Sequence, residues 1–302
     1  MKNFTISVVI PTKNRPEDLK LAIISICNQS RLPDELIIVD QSKKNTSLQL
    51  TKNIFMKYPE IKLIYIHDPQ IKGLVSAKKK SINVATGNII CFLEDDVILE
   101  NEFIEYIELG FLRCPSMLGC CGIITNPVNQ TKIYTYFYKF FHRGIFFDKR
   151  IDIYGSFMGH KNDLIPSSML SGGLSAWKSK VFKFVKFDDK NNFHMFEDID
   201  FSTRVNQFFK NSLYINPNAR LAHYFSPIGR DRLGIRQRKK ICECFTYFKK
   251  RRDWSWAKIS FLWLLLGMCI EAIRESMQSK SFKPIIGYFL GLIDGIQKKI
   301  IS

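Results

Sequence analysis

The chain has 302 residues, 46% hydrophobic and 24% charged, a balance that allows a sizeable core and excludes a globally disordered protein. Its net charge of +17 indicates an anionic partner: nucleic acid, an acidic membrane surface or a phosphorylated substrate. Its eight cysteines show neither a CxxC pair nor zinc-ligand spacing, so we expect reduced, mostly buried thiols in a cytosolic protein. The sequence enters a predicted strand at once, so we expect no signal peptide.

Short apolar segments alternate with helical patterns through the first hundred residues. Four apolar runs predict strands at 5–10, 36–39, 62–66 and 89–93. Between them, apolar residues at helical spacing from Leu19 to Ile26, a polar segment at 46–58 and a segment at 74–85 predict helices. This alternation predicts an α/β fold with a largely parallel sheet.

A cluster of three acids follows the fourth predicted strand. Glu94, Asp95 and Asp96 come directly after the apolar run 89–93. Like charges this close repel, and a divalent cation with oxygen ligands would stabilise them; an acidic turn capping the next helix is the alternative. Asp40 ends the second predicted strand. Ligands of open α/β sheets lie outside the carboxyl ends of the strands, so both sets of acids should face one crevice.

The first predicted strand is followed by no GxGxxG, and no GxxxxGK[ST] occurs in the sequence, which disfavours a Rossmann dinucleotide site and excludes a P-loop.

The sequence resembles a known family through four motifs in the expected order. SVVIPTKNR, a strand ending in IIVDQS, GLVSAKKKSINVATGNIICFLEDDV and FEDIDFSTR resemble family 2 glycosyltransferases, over roughly residues 5–230. The resemblance implies the GT-A fold, with a nucleotide-binding, mostly parallel sheet flanked by helices. It also implies inverting transfer of a sugar from a nucleotide-sugar, usually with Mn²⁺ or Mg²⁺.

The resemblance assigns nucleotide-binding roles to the first two strand ends. Pro11, Thr12, Asn14 and Arg15 match the first nucleotide-facing loop of the family. Asp40 matches the acid that contacts the base, as an acceptor for an N–H of uracil or thymine. UDP and dTDP donors are therefore favoured over GDP donors.

Two positions depart from the family pattern. Lys78 stands where the family more often has Arg; it would contact a phosphate without the bidentate fork of Arg, or lie on a solvated helix face. Glu94 replaces the first Asp of the DxD motif, so we expect Glu94 or Asp95 near the ribose and Asp96 on the metal ion. The cation would offset the charge of the leaving diphosphate.

The later motifs supply candidate catalytic and sugar-binding residues. Asp198 matches the base that takes the proton from the acceptor hydroxyl as it attacks the anomeric carbon, and Glu197 would hold the acceptor or orient the base. An acidic helix N-terminus stabilised by the helix dipole is the alternative. Gly172 and Gly173, which precede Trp177, lie where the family places donor-sugar contacts; a tight turn is the alternative.

His223 and Arg230 end the predicted catalytic part. In related GT-A enzymes a His after the last catalytic strand completes the metal site, and this ligand suits Mn²⁺; a structural His is the alternative. Arg230 would suit the diphosphate. The aromatic stretch at 134–147 fits a flap over the acceptor, a patch on lipid headgroups, or core packing.

A change in composition predicts a boundary near residue 236. We expect a GT-A catalytic domain at 1–235 and a basic, apolar helical region at 236–302. The apolar segments 259–270 and 284–293 are shorter than the ~20 residues of a spanning helix. We expect in-plane helices on anionic lipid, peripheral at the inner face of the cell membrane. A spanning first segment, a hairpin packed on the catalytic domain and a homo-oligomer contact are the alternatives.

The sequence therefore predicts a membrane-associated, metal-dependent inverting glycosyltransferase. It would move a single sugar from a UDP- or dTDP-linked donor to a hydroxyl of a lipid-linked saccharide in polysaccharide biosynthesis. The absence of QxxRW after Asp198 argues against a processive synthase in this resemblance class. A degenerate GT-A domain that binds nucleotide without transferring sugar is one alternative, because Glu94 and Lys78 depart from the pattern. A basic nucleic-acid-binding protein is the other, disfavoured by acids in the predicted cleft.

Overall fold

The structure is a computed structural model that describes residues 4–127, 131–143, 164–191, 193–228, 231–250 and 255–297. The chain divides into two compact units. The first contains Met1–Pro127, Ile153–Asn192 and Glu197–Gly229, and the second contains Val128–Asp152, Phe193–Phe196 and Arg230–Ser302. The second unit thus takes in two segments that precede the boundary predicted near residue 236.

Strands and helices alternate through the first part of the chain, as predicted. The elements up to the fourth helix are β1 (Ile6–Thr12), α1 (Pro16–Cys27), β2 (Glu35–Asp40), α2 (Thr46–Phe55), β3 (Lys62–His67), α3 (Leu74–Ile82), β4 (Ile89–Leu93), β5 (Val97–Leu99) and α4 (Phe103–Arg113). Then come β6 (Gly119–Ile124), α5 (Lys132–Arg143), β7 (Ile165–Pro166), β8 (Leu174–Lys178), α6 (Val181–Phe184), α7 (Glu197–Phe208) and β9 (Leu213–His223). Three helices follow, α8 (Leu233–Lys249), α9 (Ser255–Gln278) and α10 (Lys283–Gln297).

The strands of the first unit form one mixed sheet in the order β3-β2-β1-β4-β8-β6-β9-β5, with β7 also paired to β9. The four strands β3, β2, β1 and β4 run parallel. Strand β8 is antiparallel to β4 and β6, and β9 is parallel to β6 but antiparallel to β5 and β7. The predicted α/β class is confirmed. Among the described strands, the predicted parallel arrangement holds for β1 to β4 and for the later pair of β6 with β9.

The centre of the sheet is the core of the first unit. Strands β1, β2 and β4 are buried along their whole length. Strands covered on both faces have continuous apolar runs rather than an alternating pattern, which explains why the runs are legible in the sequence. Helix α1 buries Leu19, Ala22, Ile23 and Ile26, the residues whose spacing predicts it.

The topology brings the candidate site residues to one edge of the sheet. Because β1, β2 and β4 are parallel, Thr12, Asp40 and the acids after Leu93 lie at neighbouring carboxyl ends. The antiparallel pairing of β5 with β9 sets His223 opposite Val97, the residue after Asp96. A residue of β9, the last strand of the sheet in chain order, thus joins the acidic cluster.

The second unit is helical in its described part. Helices α8, α9 and α10 follow one another, and the two apolar segments predicted at 259–270 and 284–293 lie inside α9 and α10. The predicted C-terminal helical region is therefore confirmed, and its membrane association stays a prediction. Among the described helices, none is both long enough and apolar enough to cross a membrane.

Candidate active site

Three potential metal ligands converge beyond the ends of β4 and β9. The Nε2 atom of His223 lies 3.0 Å from Asp96 Oδ1 and 3.0 Å from Glu94 Oε2. One ligand atom from each of the three residues falls within 4.8 Å of the other two. The two carboxylates suit Mn²⁺ or Mg²⁺, and the imidazole favours Mn²⁺ of the two, so this donor set fits the predicted cation. Glu94 belongs to this set, whereas the sequence predicts Glu94 or Asp95 near the ribose.

The acidic cluster keeps His223 protonated. Burial alone would lower the pKa of His223, but hydrogen bonds and charges of Asp96 and Glu94 outweigh burial and raise that pKa to about 9. Burial also opposes ionisation of Asp96, yet His223 and the N–H of Ser226, 2.8 Å from Oδ2, hold the pKa of Asp96 below its ordinary value. An imidazolium therefore balances the carboxylates, and a bound cation would displace its proton.

Asp95 belongs to a separate network. Its Oδ2 accepts a hydrogen bond from Thr12 Oγ1 at 2.7 Å, and its Oδ1 accepts one from Arg15 Nη1 at 2.8 Å. Arg15 also donates to the carbonyl oxygen of Ile228, from Nε at 2.9 Å and from Nη2 at 2.6 Å. Burial raises the pKa of Asp95 to about 6 in spite of Arg15 and Thr12. Two residues predicted to face the nucleotide thus hold the acidic cluster itself.

The other predicted nucleotide-binding residues are more enclosed than expected. The Asp40 side chain is fully buried, and it accepts hydrogen bonds from the Tyr65 hydroxyl at 2.6 Å and the Ser42 N–H at 2.8 Å. Pro11 is a buried residue of β1. Asn14 is exposed and has a left-handed backbone, with φ 58°, and its N–H donates to Ser42 Oγ at 2.7 Å. Of these three, only Asn14 is open to a ligand in this structure.

Gly172 and Gly173 separate the acidic cluster from a second pair of acids. A Cβ on Gly173 would collide with the Glu94 carboxylate, and a Cβ on Gly172 would collide with the carboxylate of Glu197. The paired glycines thus permit close approach of the backbone to two carboxylates, which a side chain would prevent. The turn before β8 therefore joins both acidic groups in one site.

The second pair, Glu197 and Asp198, begins helix α7. Asp198 is partly buried; its Oδ1 accepts the N–H of Ile199 at 2.8 Å and its Oδ2 accepts the N–H of Gly172 at 3.2 Å. Burial and the charge of Glu197 raise the pKa of Asp198 in spite of nearby Lys78. A carboxylate with a raised pKa is a stronger proton acceptor, which suits the predicted general base.

Lys78 is buried, and in this structure its ammonium group contacts other groups of the protein. Its Nζ lies 2.6 Å from Glu197 Oε1 and donates to the carbonyl oxygen of Gly172 at 2.9 Å. The residue is 2% exposed, so the solvated helix face proposed as an alternative is wrong. In this structure its ammonium group contacts Glu197 and Gly172, and its predicted contact with a phosphate stays a prediction.

Two further predicted residues lie away from the site or outside the described chain. Trp177 is 2% exposed, packs edge-on against Phe201 with ring centroids 4.9 Å apart, and donates from Nε1 to Ser175 Oγ at 3.0 Å. The structure thus places this indole in the core rather than at a sugar. Arg230 lies outside the described residues.

Two residues absent from the predicted set contact His223 or the segment that precedes Glu197 in the chain. Phe225 stacks on His223 with ring centroids 3.8 Å apart and has φ 37°, a value uncommon for a bulky side chain. Glu243, in the second unit, accepts the N–H groups of Met195 at 2.7 Å and Phe196 at 3.1 Å, directly before Glu197 in the chain. The only sequence signal for Glu243 is a single acid within the basic helix α8.

The mixed sheet with acidic groups at its carboxyl edge is the arrangement of a GT-A glycosyltransferase. Residues 7–183 match the model of the family described as glycosyl transferase family 2. This match covers more than half of the chain, and the chain belongs to that family.

Curated relatives support the same family. An uncharacterized glycosyltransferase of Haemophilus influenzae is 31% identical over 107 residues, 35% of this chain and 42% of the relative. A GalNAc(5)-diNAcBac-PP-undecaprenol beta-1,3-glucosyltransferase of Campylobacter jejuni is 23% identical over 73% of this chain and 65% of the relative. The UDP-Glc:alpha-D-GlcNAc-diphosphoundecaprenol beta-1,3-glucosyltransferase WfgD of Escherichia coli is 24% identical over 42% of this chain and 49% of the relative. The chain spans less than two thirds of the length of each.

Solved structures share the fold. The mannosyltransferase PcManGT from Pyrobaculum calidifontis, in complex with GDP-Man and Mn²⁺, aligns with a TM-score of 0.62 over 98% of this chain and 88% of that chain, at 13% identity. Residues 1–349 of TarS from S. aureus align with a TM-score of 0.61 over 97% of this chain and 80% of that chain, also at 13% identity. At such identities the likeness supports the fold alone.

Binding of Mn²⁺ is expected to depend steeply on pH, because the ion competes with the proton on His223. The pKa of His223 is raised to about 9. Apparent affinity should therefore rise about tenfold per pH unit between roughly pH 6.5 and 8.5, with release of about one proton per ion. Calorimetric titration in buffers of different ionisation enthalpy measures both quantities. His223→Gln should bind Mn²⁺ more weakly and show a much flatter pH dependence; an unchanged slope would contradict the assignment.

Removal of the Lys78 ammonium group is expected to destabilise the protein strongly. Lys78→Met leaves the carboxylate of Glu197, 5% exposed, without its cationic partner, at a cost of about 3 kcal/mol in the free energy of unfolding. The double variant Lys78→Met/Glu197→Gln should recover part of this loss. The matched control is Lys79→Met, next in sequence, which removes only an ion pair between exposed side chains of Lys79 and Asp189. Equal destabilisation by the two single variants in guanidinium chloride would refute the buried ion pair.

Proposed function

We propose that the protein is an inverting glycosyltransferase that moves a single sugar from a UDP- or dTDP-linked donor to a hydroxyl of a lipid-linked saccharide. The observation that carries this proposal is the Gly172–Gly173 turn, with the Glu94 carboxylate against one glycine and the Glu197 carboxylate against the other. Such a transfer needs a site for an anionic leaving group beside a site for a proton acceptor, and the two acidic groups supply candidates for both. Membership of glycosyl transferase family 2 supports the reaction class.

On the acceptor side, Asp198 acts as the general base. The acceptor oxygen forms a bond to the anomeric carbon while the bond from that carbon to the diphosphate oxygen breaks on the opposite face. The hydroxyl proton moves to the carboxylate of Asp198, and the configuration inverts. The N–H groups of Gly172 and Ile199 orient this carboxylate, and the charge of Lys78 offsets that of Glu197 beside it.

On the donor side, Glu94, Asp96 and His223 would hold Mn²⁺ or Mg²⁺. When bound, such a cation offsets the negative charge of the departing nucleoside diphosphate without proton transfer. The chain's own contribution is to fix the ligands: the Ser226 N–H holds Asp96, and Phe225 stacks on the ring of His223. Arg15 binds Asp95 and keeps that acid next to the cluster.

We place this reaction at the inner face of the cell membrane, with the protein held peripherally on anionic lipid. The net charge of +17 supports attraction to an anionic surface. Two curated relatives are named for undecaprenol-linked substrates, which supports a lipid-linked acceptor. An acceptor confined to the membrane favours an enzyme that works at its surface.

The first test is calorimetric binding of UDP, dTDP, GDP and ATP, each with and without Mn²⁺. We expect one diphosphonucleoside to bind in a metal-dependent manner and Asp96→Ala to abolish that binding. Absence of binding to all four nucleotides would refute an active enzyme. Binding without turnover of any sugar in a donor and acceptor panel would identify a degenerate nucleotide-binding domain.

Asp198→Asn is expected to separate catalysis from binding. The amide keeps the shape of the side chain but accepts no proton, so kcat should fall by about 10²- to 10⁴-fold while nucleotide affinity stays the same. Asp189→Asn, an exposed acid that pairs with Lys79, is the matched control and should keep full activity. If Asp198→Asn keeps more than about a third of the wild-type kcat, Asp198 is not the general base.

A further inference from the structure

Helix α10 turns its apolar side chains outward. The residues that it buries are Pro284, Gly287, Tyr288, Gly291, Asp294 and Gly295. Its exposed apolar residues are Ile286, Phe289, Leu290, Ile293 and Ile296, each between 40% and 65% exposed. A helix on the surface of a water-soluble domain normally buries its apolar face and exposes its polar one. The arrangement in α10 is the reverse.

Close packing against α8 fixes this orientation. A Cβ on Gly287 would collide with the carbonyl group of Gly234, and a Cβ on Gly291 would come within 2.6 Å of the carbonyl oxygen of Arg238. Asp294 lies on the same inward face, where its Oδ2 is 2.5 Å from Arg238 Nε. Rotation of α10 would bring bulky side chains onto α8 and break this ion pair. The apolar face therefore stays outward.

Helix α9 exposes a second apolar stripe in the same unit. Its members are Ile259, Leu262, Leu266, Ile270, Ile273 and Met277, each between 39% and 75% exposed. Steps of three and four residues place them along one face of a helix. Scattered exposed apolar residues are ordinary, but two continuous stripes on consecutive helices mark an interaction surface.

The acids of α9 and α10 all point inward. Glu271 is 2.7 Å from Lys240 Nζ, and Glu275 accepts a hydrogen bond from Gln237 at 2.7 Å. Asp294, the remaining acid of the two helices, is 3% exposed.

The outward charges of these two helices are basic instead. Lys258, Arg274 and Lys283 are the exposed charged residues in the described part of α9 and α10. Over residues 230–302 the sequence has 16 Lys and Arg against 6 Asp and Glu. The outward surface of α9 and α10 thus combines apolar side chains with positive charge. It complements a partner that has an apolar interior and negatively charged groups on its surface.

We propose that the outward faces of α9 and α10 are a docking surface for an anionic lipid bilayer, on which both helices lie in the plane of the interface. Their apolar side chains enter the boundary between headgroups and acyl chains, and the basic residues contact anionic headgroups. This inference rests on the membrane placement in the proposed function. A second copy of the chain fits the surface less well, because a symmetric contact would bring like basic charges together.

Vesicle flotation with the full chain tests the proposal. Wild-type protein should float with vesicles that contain phosphatidylglycerol and bind pure phosphatidylcholine at least about tenfold more weakly. Ile286→Glu/Phe289→Glu, which places two charges on the apolar face of α10, should reduce binding to the anionic vesicles by at least about tenfold. Leu21→Glu, at an apolar residue of α1 that is 52% exposed like Phe289, is the matched control and should bind as wild type does.

A folding control and an oligomer measurement complete the test. The double variant should keep the circular dichroism spectrum and melting temperature of the wild type, since both side chains point outward. Unchanged vesicle binding by that variant, or no binding by the wild type, would overturn the proposal. The proposal would also be overturned if light scattering shows a dimeric wild type and a monomeric double variant while the two proteins bind vesicles equally. Flotation requires no sugar transfer, so its failure leaves the proposed reaction standing, and loss of the reaction leaves docking standing.

Discussion

Five carboxylates of the first unit lie around one glycine turn, and the structure depends on groups that offset their mutual repulsion. Glu94, Asp95 and Asp96 lie on one side of that turn, and Glu197 and Asp198 lie on the other. Cations from distant parts of the chain match four of them: Arg15 binds Asp95, His223 lies between Glu94 and Asp96, and Lys78 binds Glu197. Asp198 is instead held by backbone N–H groups. The fold thus brings the loop after β1, helix α3 and strand β9 to the positions where their cations are needed.

The features that the sequence predicts correctly are those that local sequence patterns determine. Strand β4 and its three acids follow from an apolar run that ends in charge, and the parallel strands beside it follow from the same kind of run. The second half of the sheet is harder to predict, because β8, β6 and β9 pair with strands that lie far away in the chain. The eleven-residue β9 even contains a proline, which disfavours a strand prediction.

Individual side chains are hard to predict where distant residues make their environment. Lys78 stands in a run of three lysines, a pattern typical of a solvated helix face. It is nevertheless buried, and its ammonium group pairs with Glu197, 119 positions later in the chain. Trp177 follows a glycine turn that suits a sugar site, but its strand directs it into the core against Phe201. Asp40 ends its strand as predicted, and Tyr65 on the neighbouring strand covers its carboxylate. In each case the family motif marks the position, and tertiary packing decides the contacts.

The hydrogen bonds of Glu243 have a consequence for the order in which the second unit can be completed. Chains emerge from the ribosome with their N-terminal part first. A nascent chain that ends just after β9 already carries both acidic groups, but the N–H groups of Met195 and Phe196 still lack the acceptor that α8 supplies. These two N–H groups can pair with Glu243 only after α8 has been synthesised. Met195 and Phe196 belong to the second unit although they precede β9 in the chain, and they therefore complete their hydrogen bonds together with the helix that supplies the acceptor.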